Sequence, residues 1–178
     1  MKTIETETKP VNLPRLNRIW EGIKSGELKH NQCVYHCNTS HCIAGWEIVF
    51  LLNENNIPLQ TTEGGSTSGQ TLYKLVKTLD IKVNTVSDSA VARASLGLNK
   101  NETKMLFDPD ARFEIQDALV EYLNRGQRLD NSEDSNNWSP ENSEDTNSIY
   151  LKGGIKKWSE FTDILDEKDI KYNFNRMF

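Results

Sequence analysis

His30-Asn31-Gln32-Cys33-Val34-Tyr35-His36-Cys37-Asn38-Thr39-Ser40-His41-Cys42, running on into Ile43-Ala44-Gly45-Trp46, holds every cysteine and every histidine of the chain. Thr39 or Ser40 has the chemistry of a helix N-cap. On a helix of about 13 residues starting there, Cys42, Trp46, Val49, Phe50 and Asn53 share one side, with Ile43 and Leu51 beside them. A helix that is apolar around most of its circumference belongs in the middle of a fold. This segment is therefore expected to be the central buried helix of a helical domain. Ala44-Gly45 in its first turns leaves room for another backbone to approach.

Helical spacing continues on both sides. Residues 1–12 are polar and read as a flexible N-terminal tail. Leu13, Leu16, Ile19, Trp20 and Ile23 then line one helix face, with Pro14 at its start and Gly26 at its end. Beyond the central helix, Thr61 to Gln70 is rich in Gly, Ser and Thr and reads as a flexible linker. Its Gly64-to-Thr71 stretch approaches a phosphate loop but has Gln70 where that loop needs lysine. Leu72, Leu75, Val76 and Leu79 mark the next helix, and Ile81, Val83 and Val86 alternate as a short strand or extended connection.

Ser87 or Asp88 caps a helix that turns Ala90, Val91, Ala94 and Leu96 inward and ends at Gly97. Asn99 and Glu102 have capping-box spacing and open a short helix through Met105, Leu106 and Phe107. Phe113, Leu119, Tyr122 and Leu123 mark another, ended by Gly126. Residues 130–147 carry Asp130, Glu133, Asp134, Glu141, Glu144 and Asp145 with no Lys or Arg, the composition of a disordered acidic loop. Ile149-Tyr150-Leu151 suggests a brief strand. Ile155, Trp158, Phe161, Ile164 and Leu165 mark a final helix, and Ile170, Tyr172 and Phe174 an extended end. The expectation is a mainly α protein, a single compact domain over residues 1–178 with about six helices and a minor small β-sheet.

Composition narrows the function. A net charge of −5 argues against direct nucleic-acid binding, which needs a basic footprint, and against docking on an anionic membrane. Mean hydropathy is −0.65, and no apolar run approaches the roughly 18 residues of a membrane span. Met1 to Glu7 is polar with alternating charge, unlike a signal peptide, so a cytoplasmic location is expected. Three cysteines in that compartment read as thiols, metal ligands or a redox pair rather than a disulfide framework.

Cys37-Asn38-Thr39-Ser40-His41-Cys42-Ile43-Ala44-Gly45-Trp46 resembles a signature of small, functionally uncharacterised proteins of phages and bacteria. There it reads Cys-Gly-Thr-x-x-Cys-x-Ala-Gly, followed by Trp or His. Leu96-Gly97-Leu98-Asn99-Lys100-Asn101-Glu102, leading to Leu106-Phe107, resembles a second element of the same proteins, so the likeness brackets roughly residues 13–125. Asn38 departs from the glycine of the pattern, although Asn tolerates the left-handed conformation best among the other residues. The resemblance implies that Cys37 and Cys42 are the matching cysteines and Cys33 an extra one. It also implies a phage or mobile-element origin, and it brings no activity.

The Cys/His segment leaves several chemistries open. A zinc site would draw on Cys33, Cys37, Cys42 and His41, with His30 or His36 as further donors, at spacings that match no standard finger. A nucleophilic Cys42 would lie in the first turn of a helix, where its thiol pKa is lowered, with His36 or His41 as base. Cys37 and Cys42 could also form a redox pair, or pack as small hydrophobes with no cofactor at all. Ala90 to Phe107 has a helix-turn-helix look but offers only Lys100 and Lys104 to DNA, so ordinary packing is expected. In the acidic loop Trp138 is a candidate binding anchor, flanked by Glu133, Asp134 and Glu141.

Two functions are expected from this reading. The first is a non-enzymatic binding protein, phage-encoded and of anti-defence type, that engages a host protein or small ligand. Its acidic surface suits a basic protein partner. The second is a cysteine-dependent hydrolase or transferase using Cys42 with His36 or His41.

Overall fold

Local capping sets most of the helix boundaries. A computed structural model of the chain describes residues 9–37, 40–129 and 159–170. Helix α1 (Leu13–Ser25) starts at Asn12, whose side chain accepts from the Arg15 N–H, and stops at Gly26 in the left-handed conformation, φ 78°. Helix α3 (Gly69–Leu79) is capped by Ser68, and α4 (Asp88–Leu96) by Ser87. Helix α5 (Lys100–Phe107) has a complete capping box, with the Asn99 side chain on the backbone of Glu102 and the Glu102 side chain on the backbone of Asn99. Helices α6 (Phe113–Asn124) and α7 (Ser159–Glu167) complete the set.

The central helix is α2 (Ile43–Glu54), and it begins later than its sequence suggests. Its cap is Cys42, whose Sγ accepts the Gly45 N–H at 3.4 Å, rather than Thr39 or Ser40. The reason lies just upstream, where Ser40–His41 (β2) is extended and pairs antiparallel with His36–Cys37 (β1). The buried side of α2 also differs from the expected stripe. Ile43, Ala44, Glu47, Ile48, Leu51 and Leu52 face the core, while Trp46, Val49 and Phe50 are half-buried and Asn53 is exposed. Glu47, a carboxyl, thus takes a core position.

Helix α2 packs on α1, α4, α5 and β2, and α6 packs on α1, α5 and α7. One hydrophobic cluster joins these elements through Leu16, Ile19 and Trp20 of α1, Ile48 and Leu52 of α2, Leu106 of α5, Leu119 of α6 and Phe161 of α7. The fold is mainly α with one small sheet, and the described residues contain seven helices. None of these helices is long and apolar enough to cross a membrane.

One connection differs from expectation. The Gly/Ser/Thr stretch is an ordered turn: Thr61 pairs with Thr67, the Thr62 N–H donates to the Ser66 carbonyl at 2.8 Å, and Gly65 sits at φ 77°. Ile81 to Val86, read as a short strand or an extended connection, is a connection without strand pairing. Ile170, half-buried after α7, donates its N–H to the Leu165 carbonyl as a helix end rather than as a strand. Of the flexible tail expected over residues 1–12, residues 9–12 are instead held in place, the Lys9 carbonyl by Arg128 and the Asn12 N–H by the Leu96 carbonyl. Residues 1–8, the acidic segment 130–147, Ile149-Tyr150-Leu151, Ile155, Trp158, Tyr172 and Phe174 lie outside the described residues.

The second sequence element, Leu96 to Glu102, forms a clasp. The Glu102 carboxylate is fully buried and takes the Arg128 guanidinium at 2.7–3.1 Å. Arg128 also donates to the carbonyls of Lys9 at 3.0 Å and Gly97 at 2.9 Å. Asn99 donates its Nδ2 to the Leu129 carbonyl at 2.7 Å. The Asn12 N–H reaches the Leu96 carbonyl at 2.8 Å. The clasp joins the segments before α1 and after α6 to the α4–α5 corner.

Candidate functional site

The β1–β2 register places His36 opposite His41 and Cys37 opposite Ser40. Directly opposed residues of an antiparallel pair share a face, so both imidazoles turn inward together. They are 5% and 4% exposed, their Nδ1 atoms are 2.9 Å apart, and the rings meet edge to face. His41 also meets the Trp46 ring edge to face, with centroids 4.5 Å apart.

On its other side His36 Nε2 reaches Thr67 Oγ1 at 2.8 Å and lies 3.5 Å from Asp88 Oδ1. Thr67 donates its hydroxyl to Asp88 Oδ1 and its backbone N–H to Asp88 Oδ2 at 3.0 Å. Thr67 and Asp88 are buried as well. The Thr67 hydroxyl hydrogen is committed to Asp88, so the hydrogen between His36 and Thr67 comes from His36 Nε2. A single hydrogen then joins the two Nδ1 atoms.

The electrostatics follow this arrangement. Burial and the neighbouring His36 push His41 down to about 4, against a smaller opposing effect of a backbone hydrogen bond with Tyr35. Burial alone would raise Asp88, but its bonds from His36 and Thr67 together outweigh that and hold it below its ordinary value. The cluster is closed: each polar atom named here has a partner inside it.

The surrounding backbone fixes the hairpin in place. The His36 N–H donates to the Gly65 carbonyl at 2.8 Å, the His41 N–H to the Lys29 carbonyl at 3.0 Å, and the Asn31 N–H to the His41 carbonyl at 3.1 Å. Trp46 Nε1 donates to the same Lys29 carbonyl at 3.1 Å. The Tyr35 carbonyl packs so closely on Gly45 that a side chain there would overlap it, and a Cβ on Gly65 would lie 2.7 Å from the His36 carbonyl oxygen. The Ala-Gly pair of α2 does admit another backbone, that of the strand entering the hairpin.

The cysteines do not converge. Cys33 and Cys37 are exposed, whereas Cys42 is buried. Burial pushes the Cys42 thiol up to about 11, and the backbone N–H groups of Gly45 and Ala44 offset only part of this. The lowering expected from a helix N-terminus is therefore outweighed by desolvation. Among the described residues no three His, Cys, Asp or Glu side chains are placed to hold a metal ion. His41 and Cys42, two of the residues expected to ligate zinc, instead face His36 and the Gly45 N–H. His30 lies apart, with Nε2 2.9 Å from Gln32 Oε1.

An open cleft of about 170 Å³ lies beside the hairpin, lined by residues including Val34, Tyr35, Cys42, Ser66 and Phe107. Thr67 and Asp88 were not legible as partners of the histidines. Asp88 presented only as an alternative helix cap and Thr67 only as one more polar loop residue. Trp138, Glu133, Asp134 and Glu141 lie outside the described residues. Comparison with protein-family models, curated proteins and solved structures gives no match for this chain.

Proposed function

We propose that this is a non-enzymatic binding protein in which the Cys/His segment pins the start of the central helix. The observation that carries this reading is the closure of the His36–His41–Thr67–Asp88 cluster, whose polar atoms bond one another inside the core. A catalytic base must reach a substrate proton, and both imidazoles are buried, with both ring nitrogens of His36 and Nδ1 of His41 engaged inside the cluster. Cys42 supports the same reading, since a thiol raised to about 11 is protonated at neutral pH and is a poor nucleophile. On this proposal the pin works through hydrogen bonds, without zinc.

The partner surface is the acidic segment 130–147, with Trp138 as anchor and Glu133, Asp134 and Glu141 as charges. Its chemistry suits a basic protein, such as one that normally handles nucleic acid. The resemblance to small phage and bacterial proteins would make that partner a host protein met in the cytoplasm, in an anti-defence role. The competing reading, a hydrolase or transferase using Cys42, makes opposite predictions.

The test is affinity capture from bacterial lysate with three baits: the natural chain, Cys42→Ser, and Glu133→Lys/Asp134→Lys/Glu141→Lys. The expected result is one basic protein held by the first two baits and lost by the third. A folded Cys42→Ser chain that loses the partner, or a Cys42 that reacts with iodoacetamide faster than free cysteine at neutral pH, would turn the conclusion towards the enzyme.

A further inference from the structure

Glu47 has no place in the site just described, yet it is the most unusual residue of the core. It projects from α2 to where α1 and α4 meet it and is fully buried. Its Oε1 takes the Ser95 hydroxyl of α4 at 2.6 Å. Its Oε2 has no hydrogen-bond partner and lies 3.7 Å from Nη1 of Arg15 on α1, which is equally buried and also has none. The Arg15 charge is engaged elsewhere. Its Nη2 donates to both carboxylate oxygens of the exposed Glu54, at 2.5 and 2.6 Å.

Two unpartnered atoms of opposite character thus face each other across a gap slightly too wide for a hydrogen bond. Protonated, Glu47 is uncharged, and the interior penalises its unpartnered Oε2 far less than it would a bare carboxylate oxygen. Ionised, it is a buried carboxylate with one bare oxygen, which the interior penalises heavily. The remedy at hand is the Arg15 guanidinium, held by a single nitrogen to a partner at the surface.

We propose that Arg15 is a proton-driven toggle, held by Glu54 while Glu47 carries its proton and drawn inward onto Glu47 when that proton leaves. The step breaks the Glu47 O–H bond and delivers the proton to solvent water, while Arg15 stays cationic throughout. Its consequence is external. Inward movement leaves the exposed Glu54 carboxylate without its Arg15 partner, so one proton lost in the core adds negative charge to the α1–α2 surface.

Few other groups can drive it. The charges acting on Glu47 are Arg15 from α1, which favours ionisation, and Glu54 from its own helix, which opposes it. Helix α4 contributes the neutral Ser95, and neither α5 nor the hairpin contributes a charge that acts on it. Burial is the largest influence and carries the carboxyl up to about 7, so the toggle would work near neutral pH. The reporter is built in, because the Arg15 guanidinium lies 5.5 Å from the centre of the Phe50 ring, with Arg18 at 4.4 Å.

The experiment is an NMR titration of the full chain from pH 4 to 9, following Glu carboxyl carbons and the Phe50 ring in the natural protein, Glu47→Gln and Ser95→Ala. The expected result is a shared step for Glu47, Glu54 and Phe50 within about one pH unit of 7. In Glu47→Gln the step disappears from Glu54 and Phe50. In Ser95→Ala it moves to higher pH, because the lost hydroxyl bond favoured the ionised form; this variant decides the matter if Glu47→Gln does not fold. A Glu47 midpoint in the ordinary carboxylate range, a neutral step that survives Glu47→Gln, or an unmoved midpoint in Ser95→Ala would overturn the proposal.

Discussion

The Nδ1 atoms of His36 and His41 lie 2.9 Å apart inside the core and share one hydrogen. Burial, with the neighbouring His36, holds His41 down at about 4 instead of 6.5. A depressed pKa contributes stability that is complete above the unfolded value and is lost as pH falls through the folded one. At 1.36 kcal/mol per unit, the loss between pH 6.5 and 4 is on the order of 3 kcal/mol.

Glu47 has the opposite sign. Its value rises from 4.5 to about 7, so its stability is complete below pH 4.5 and is lost as pH climbs through about 7. The amount is again on the order of 3 kcal/mol. The two slopes overlap between about pH 4.5 and 6.5 and nearly cancel there. Urea midpoints of the natural chain should therefore form a plateau across that window and fall on either side. Glu47→Gln should expose the histidine slope alone, with stability rising from pH 4 to 6.5 and then level. A Glu47→Gln curve that superimposes on the natural one would refute the assignment.

Gly45 and Gly69 make a matched pair of α2 and α3 positions. A methyl group on Gly45 collides with the Tyr35 carbonyl, a backbone atom that the hairpin holds in place, while one on Gly69 meets nothing within 4 Å. Gly45→Ala should cost about 3 kcal/mol, at the upper end for overpacking. Gly69→Ala should add about 0.5–1 kcal/mol by restricting the unfolded chain. Thermal unfolding of the two variants should shift in opposite directions, and equal shifts would show that the approach of Tyr35 is not what demands the glycine.

These contrasts explain what the sequence revealed. Helices α1, α4 and α5 were legible because their signals are local: Pro14, Gly26 and Gly97 act within a turn, and Asn99 with Glu102 within four residues. The central position of α2 followed from its apolar composition, but its start and inward face did not. Cysteine is an uncommon cap, strands of two residues have no readable period, and a glutamate is read as solvent-facing until a buried hydroxyl is found for it. The candidate site was half legible. The histidines cluster in sequence, but Thr67 lies 31 residues from His36 and 21 from Asp88. Nothing in local spacing encodes those contacts.

Thiol chemistry separates the three cysteines. With Cys33 and Cys37 exposed and Cys42 buried, two thiols should react promptly with an aromatic disulfide under native conditions and the third only as the chain opens. Its rate should rise with urea in step with unfolding. Cys42→Ser keeps an N-cap acceptor and should stay within about 1 kcal/mol of the natural chain, whereas Cys42→Ala should lose about 1 kcal/mol or more. A third thiol that reacts as fast as the first two would mean that Cys42 is open to solvent, and the pin would not be closed.

Arg128 and Glu102 provide the severest stability test. Glu102 is fully buried and relies on Arg128 for its charge. Removing the guanidinium strands a carboxylate in the core and releases the Lys9 and Gly97 carbonyls it also holds. Arg128→Ala should therefore cost about 3–5 kcal/mol. Arg128→Lys should recover less than half, since one ammonium cannot reproduce the fork that meets both carboxylate oxygens. Adding Glu102→Gln to Arg128→Ala removes the stranded charge, so the double variant should be more stable than Arg128→Ala alone. That inversion in a double-mutant cycle is the decisive reading. If the two substitutions instead add, the carboxylate has another route to neutralisation and the α4–α5 corner does not depend on this pair.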